Sequence, residues 1–281
     1  MRIDAHHHFW NPETREYPWM EGDALAPIRR PIGPEDLRPE LHAAGVSGTV
    51  LVQTVGTVEE TDEFLATAEA TDFVKGVVGW VDLTDRLVGD TLDVLLDGQG
   101  GRYLKGIRHQ AHDEPDEDWL MRPDVIAGIA TCGARGLVQD LLAKEPQLPA
   151  CITLADVLPE AQFVLDHIAK PRIAAGQMEP WRALIEELAR RDNVVCKLSG
   201  MITEAAWDSW TIDDLRPYVD VVLNAFGPDR LMFGSDWPVC LLAGSYGDVV
   251  NAAETLTADL SESERAMIFA GTAKRIYGLD V

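Results

Sequence analysis

The chain has 281 residues, 46% hydrophobic and 25% charged, a composition that supports a sizeable core and excludes disordered, collagenous and coiled-coil architectures. Its 24 Lys and Arg face 47 Asp and Glu, for a formal net charge of −23 without any basic block, so nucleic acid and anionic membranes are not expected as partners. Four cysteines far apart and no C-x-x-C pair point to reduced thiols in a cytoplasmic protein, and no apolar run is long enough to span a bilayer.

The first predicted strand covers 2–8 (RIDAHHH), where strict alternation places Asp4, His6 and His8 on one face and Ala5 and His7 on the other. A segment of about 25 residues with five prolines follows from Phe9 to Pro34, a length that suggests a lid or a wall of a substrate pocket. A second strand at 47–54 leads into Thr57-x-x-Glu60, a capping-box pattern ahead of Phe64, Leu65 and Ala68. Further strands are predicted at 74–82, 104–110, 136–142 and 162–169, and Trp181, Leu184, Ile185 and Leu188 then recur at helical spacing. The last two strands, at 194–200 and 230–237, flank a helix over Asp213–Phe226, and Ser261-x-x-Glu264 caps a final helix before Met267 and Ile268.

Eight strands separated by helix-length segments predict one α/β domain over 1–281, a (β/α)8 TIM barrel. An open doubly wound sheet is the structural rival, weakened by the lack of a G-x-G-x-x-G or Walker loop after any strand.

Polar residues close several of these apolar runs. His6 and His8 would share a metal if their face is the barrel interior, although a solvated N-terminus or tag remnant would read the same. His167 ends strand six and Asp236 ends strand eight; alone, the first is equally a structural histidine and the second a turn cap. Together the four offer three imidazoles and one carboxylate, a set suited to one divalent ion, Zn²⁺ foremost. Arg108 is the best candidate for gripping a substrate carbonyl, and His109, Gln53, Lys197 and Ser199 are further substrate-binding candidates, with Gln139 and Asp140 also at a strand end. Trp10, Trp80 and Trp237 would stack on a sugar face or simply pack the rim. No G-x-S-x-G elbow is present, and Cys240 is a remote candidate thiol nucleophile.

These residues lie in DAHHHFW, GIRH, DEPD (113–116), FVLDHIAKP, CKLSG and FGSDWPVC, which follow one another across nearly the whole chain and resemble the amidohydrolase superfamily, in its sugar-lactonase-like branch. The resemblance implies an amidohydrolase-like barrel that opens a sugar-acid lactone of the L-fucono- or L-rhamnono- type, with Asp236 as general base and His167 and Arg108 beside it. It also matches His6 and His8 to a metal-binding pair. The bridging lysine or histidine expected on strand four or five is replaced by Gln139 and Asp140, so a binuclear centre is not expected; one ion, or metal-independent catalysis, is. The implied partner is a small-molecule lactone, with homo-oligomerisation open. The rivals are decarboxylation of a small aromatic acid on the same scaffold, which calls for histidines on strands five and six, and a non-catalytic sugar-acid-binding barrel.

Overall fold

The computed structural model describes residues 1–281 and contains all eight strands: β1 Ile3–His7, β2 Gly48–Val52, β3 Val74–Gly79, β4 Leu104–His109, β5 Val138–Leu141, β6 Phe163–Leu165, β7 Val194–Leu198 and β8 Leu231–Phe233. Each pairs in parallel with the next, in the order β1 to β8. A parallel bridge between His7 and Trp237, with the His8 amide donating to the Trp237 carbonyl at 2.7 Å, joins the last strand to the first. The result is a TIM barrel.

Parallel strands in a barrel are buried on both faces, which is why they read as apolar runs rather than as alternating ones. Val50, Val52, Val78, Val138, Val164, Val195 and Met232 point inward and form a floor with Tyr277 and Leu279 from the C-terminal end. Their neighbours Leu51, Val77, Ile107, Leu141, Phe163, Leu165, Leu198 and Phe233 point outward into the layer beneath the helices.

The register shifts by one residue in β1, β3 and β4, and the shift in β1 bears on the site. Ile3 pairs with Gly48 and Asp4 with Thr49, but His7 pairs with Leu51, so an extra residue is accommodated between Asp4 and His7. Such a bulge reverses the facing of everything after it. Ala5 therefore joins the interior floor, while His6 and His8 also face the interior. Asp4 is not on their side: it turns outward to Ser235 and to the Tyr246 hydroxyl, 3.1 Å away.

The helices are α1 Pro34–Ala44, α2 Val58–Ala70, α3 Val88–Asp97, α4 Pro123–Gly133, α5 Leu148–Val157, α6 Trp181–Leu188, α7 Met201–Glu204, α8 Ile212–Phe226, α9 Tyr246–Leu256, α10 Glu262–Ala266 and α11 Thr272–Tyr277. Ser261 and Glu264 form the anticipated reciprocal cap. Before α2 only half of the motif operates. Thr57 accepts from the Glu60 amide at 3.2 Å, but the buried Glu60 carboxylate turns instead to the amides of Thr54 (2.7 Å) and Val55 (3.0 Å).

The proline-rich segment after β1 is built from two 3₁₀ turns, Pro18–Met20 and Asp23–Ile28, and is pinned by the Trp10 indole, which donates to the Ile28 carbonyl at 3.0 Å. No helix is long and apolar enough to cross a membrane. All four cysteines are free and buried, and burial pushes the thiols of Cys132 and Cys151 up to about 12. A thiolate-dependent reagent such as Ellman's should therefore titrate none of them in the native protein and four after denaturation. Rapid native labelling would show that the core opens at a sulfur position.

Candidate active site

The C-terminal mouth of the barrel gathers side chains from six strands. The β1 bulge presents His6 and His8, whose Nε2 atoms lie 3.2 Å apart. Asp236, just past β8, places Oδ1 3.8 Å from His6 Nε2, 3.4 Å from His8 Nε2 and 3.7 Å from His167 Nε2. Asp236 adopts φ 56°, a left-handed conformation that Asp tolerates better than most residues.

His167 arrives by a less ordinary route. Strand β6 stops at Leu165, four residues short of the anticipated strand end at Ala169, because His167, Ile168, Ala169 and Lys170 have φ of 53°, 48°, 59° and 47°. Four successive non-glycine residues in the left-handed region cost roughly 1–2 kcal/mol each. The turn swings the His167 imidazole inward, where Nδ1 meets the Ser199 hydroxyl at 2.9 Å. Gly200 passes so close that a Cβ there would sit 2.7 Å from His167 Nδ1.

Beneath these groups lies a buried charge network. Arg108 donates to Asp166 at 3.0 Å and approaches His6 Nε2 at 3.3 Å. The Lys197 ammonium hydrogen-bonds to Asp140 at 2.5 Å and to His6 Nδ1 at 3.1 Å, and lies 3.0 Å from Asp166 Oδ1 as an ion pair. Tyr277 donates its hydroxyl to Asp140 from below at 2.9 Å.

Burial raises the Asp140 carboxyl to about 6 even against the pull of Lys197. Asp166 is also penalised by burial, yet Lys197, His6 and Arg108 together hold it well below the carboxylate range. The same balance holds Asp236 down: burial pushes it up, and the imidazoles of His167, His8 and His6 outweigh that push. Burial keeps the His167 imidazole neutral, with its pKa lowered to about 3.

A cavity of about 370 Å³ opens above this cluster. His8, Arg108, His167 and Asp236 line it, so four of the anticipated site residues share one wall with His6 directly behind them. The other anticipated residues stand elsewhere. Lys197 and Ser199 are buried supports for His6 and His167, and Gln53 donates to the Arg108 carbonyl at 3.1 Å. His109 faces away from the cavity, stacked on Trp119 at 3.9 Å and paired with Glu114 at 2.7 Å, because successive β4 residues face opposite ways. Trp10 and Trp237 are buried behind the rim. Cys240 is buried too, with its thiol raised well above its usual value by burial, which removes it as a nucleophile.

Thr54, Gln110, His112, Asp113, Lys144 and Lys170 complete the polar lining, with Trp19 and Leu25 contributed by the proline-rich segment. These side chains follow the observed strand ends, where the sequence pattern has already lost its apolar period: Thr54 after β2, Gln110, His112 and Asp113 after β4, Lys144 after β5 and Lys170 after β6. Position just after a strand, as for Thr54 after Gln53, was the available signal.

The donor set fits one divalent ion. His8 Nδ1 is engaged by the Val52 carbonyl at 2.7 Å and His167 Nδ1 by Ser199, leaving Nε2 of each turned toward Asp236. Ligand atoms of His6, His167 and Asp236 lie within 4.8 Å of one another.

A model of a family described as amidohydrolase matches residues 3–279. L-Fucono-1,5-lactonase from Burkholderia ambifaria is 40% identical over 285 residues, covering 99% of this chain and 96% of the relative. The protein of the same name from Burkholderia multivorans is 38% identical, with the same shares covered. The crystal structure of a Burkholderia multivorans amidohydrolase with bound Zn superposes with a TM-score of 0.93 at 37% identity, over 100% of both chains.

Proposed function

The chain belongs to the amidohydrolase family, and we propose that it is a lactonase that opens a sugar-acid lactone of the L-fucono-lactone type, with Asp236 as general base. The observation that carries this reading is the convergence of Asp236, His8, His167 and Arg108 on one wall of a cavity whose remaining lining is rich in hydrogen-bonding side chains. Gln110, His112, Asp113, Lys144 and Lys170 mix donors and acceptors, which suits the hydroxyls of a sugar ring better than an apolar aromatic acid.

In the mechanism, Arg108 directs its guanidinium at the lactone carbonyl and stabilises the oxyanion as it forms. Asp236 accepts a proton from water as the water oxygen bonds to the carbonyl carbon. When the tetrahedral intermediate collapses, the bond from carbon to ring oxygen breaks, and Asp236 returns that proton to the leaving oxygen. The product is the open-chain hydroxy acid. His6, His8 and His167 surround the Asp236 carboxylate and crowd bulk water away from it. A divalent ion, with Zn²⁺ the first choice, would be held by His6, His8, His167 and Asp236, and when bound it supplies Lewis acidity toward water and carbonyl oxygen.

The test is a panel of five- and six-membered sugar lactones followed with a pH indicator, before and after chelation with the metal content measured. Stereoselective acid release is expected from polyhydroxylated lactones and not from unsubstituted or aromatic ones. Rates that survive complete metal removal assign catalysis to Asp236 and Arg108 alone, and rates that fall and return with Zn²⁺ assign a share to the ion. Silence across the panel would overturn the lactonase reading.

A further inference from the structure

We infer that Trp181, on the outer surface of the barrel wall and absent from the cavity, is a positioning residue for His167 and Lys170, acting through the left-handed turn that carries both. The inference rests on the lactonase reading for its kinetic arm only.

The turn is the most strained segment of the backbone: of the five non-glycine residues with positive φ in the whole chain, four are His167 to Lys170 and the fifth is Asp236. Both ends of the run deliver side chains to the cavity, His167 at its start and Lys170 at its end. Between them, Ile168 and Ala169 are fully buried and touch no substrate space. An extended continuation of β6 would point successive side chains to opposite faces, whereas the tight left-handed path brings His167 and Lys170, three apart, to the same wall.

Something must hold that path against its steric cost. The Ile168 carbonyl accepts from the Trp181 indole N–H at 2.8 Å. Trp181 is itself buried: it is 1% exposed and packs against the Tyr218 ring at 5.3 Å, whose hydroxyl donates to the Gln177 carbonyl. The far sides of the turn are secured by Ser199 on His167 and by Glu204 on the Lys170 ammonium at 2.9 Å. Trp181 is thus the one side chain that grips the middle of the turn from outside the site, through its peptide backbone.

The experiment compares Trp181→Phe, which keeps an aromatic ring but removes the N–H, with Trp181→Phe/Ala169→Gly, since glycine takes the left-handed conformation without steric cost. The imidazole ¹⁵N resonances of His167 are read first, with exposed His42 as internal control. Trp181→Phe is expected to shift the His167 signals and leave those of His42 in place, and to lower kcat about tenfold. The double variant is expected to regain at least threefold of that loss and to move the His167 signals back. A folded Trp181→Phe chain with native His167 signals, or a double variant with no recovery, would overturn the inference and leave Trp181 a packing residue. Backbone ¹³C shifts of residues 167–170 in the wild-type protein give a test that needs no variant, because right-handed or extended values there would also overturn it. If the wild type hydrolyses no lactone, the lactonase reading fails while the resonance measurements still decide the role of Trp181.

Discussion

Replacing Asp236 by Asn is expected to lower kcat for lactone hydrolysis by about 10³-fold, within the roughly 10²–10⁴ that a positioned proton acceptor contributes, or about 4 kcal/mol of barrel-built transition-state stabilisation. The side chain keeps its shape, so the cavity and Arg108 remain. What disappears is the carboxylate oxygen that sits between 3.4 and 3.8 Å from His8, His167 and His6. Affinity for the product hydroxy acid, measured by calorimetry, should change far less than kcat, because Gln110, Asp113 and Lys170 still line the pocket. A folded Asp236→Asn protein that retains a tenth or more of wild-type kcat would remove Asp236 from the chemistry. Loss of binding together with rate would instead make it a ligand-holding group.

Lys197→Met should produce the largest loss of stability. The ammonium is fully buried between Asp140 and Asp166, and its removal leaves Asp140 buried with only the Tyr277 hydroxyl and Asp166 with Arg108 as its remaining cation. Breaking a buried pair in this way costs about 3–5 kcal/mol, which for a domain of this size lowers the unfolding midpoint by about 6–20 °C. The sign of the pH dependence follows from Asp140, whose carboxyl is already raised to about 6 by burial. A group with a raised folded pKa favours the folded state below its unfolded value near 3.8, and that contribution is lost as pH rises through the folded value. Without Lys197 the folded value climbs further. The deficit of Lys197→Met relative to wild type should therefore be greatest near pH 8 and shrink toward pH 5. Adding Asp140→Asn should recover part of it, as measured by denaturant unfolding. An unchanged midpoint at pH 8 would mean that water reaches the network.

The eight strands are legible in the chain because a parallel strand covered on both faces must be apolar along its whole length, and because the connection back to a parallel neighbour needs a helix. Strand ends are equally legible, since a polar residue that closes such a run can be satisfied only at the barrel mouth. That reasoning reaches His6, His8, Arg108, His167 and Asp236, all now found around one centre. It also reaches Lys197 and Ser199, but assigns them to the substrate when both instead support histidines.

Where the local rule fails, it fails at defined places. Alternation with period two puts Asp4 beside His6, and a single extra residue in β1 sends it to the opposite face, toward Tyr246 on α9. The same period cannot say whether Arg108 or His109 faces inward; barrel closure decides for Arg108 and leaves His109 stacked on Trp119. Within the proline-rich segment, Trp19 rather than Trp10 reaches the cavity. Composition, the period of burial and the polar strand ends are local properties, and they determined the barrel and the identity of its central residues. The facing of each residue around a bulge, the left-handed turn that carries His167, and the meeting of Lys197 with His6 across 191 positions of sequence were decided only when the sheet closed. Closure brings strands remote in sequence within hydrogen-bond reach, and it can sustain a strained turn because packing from outside the barrel holds it.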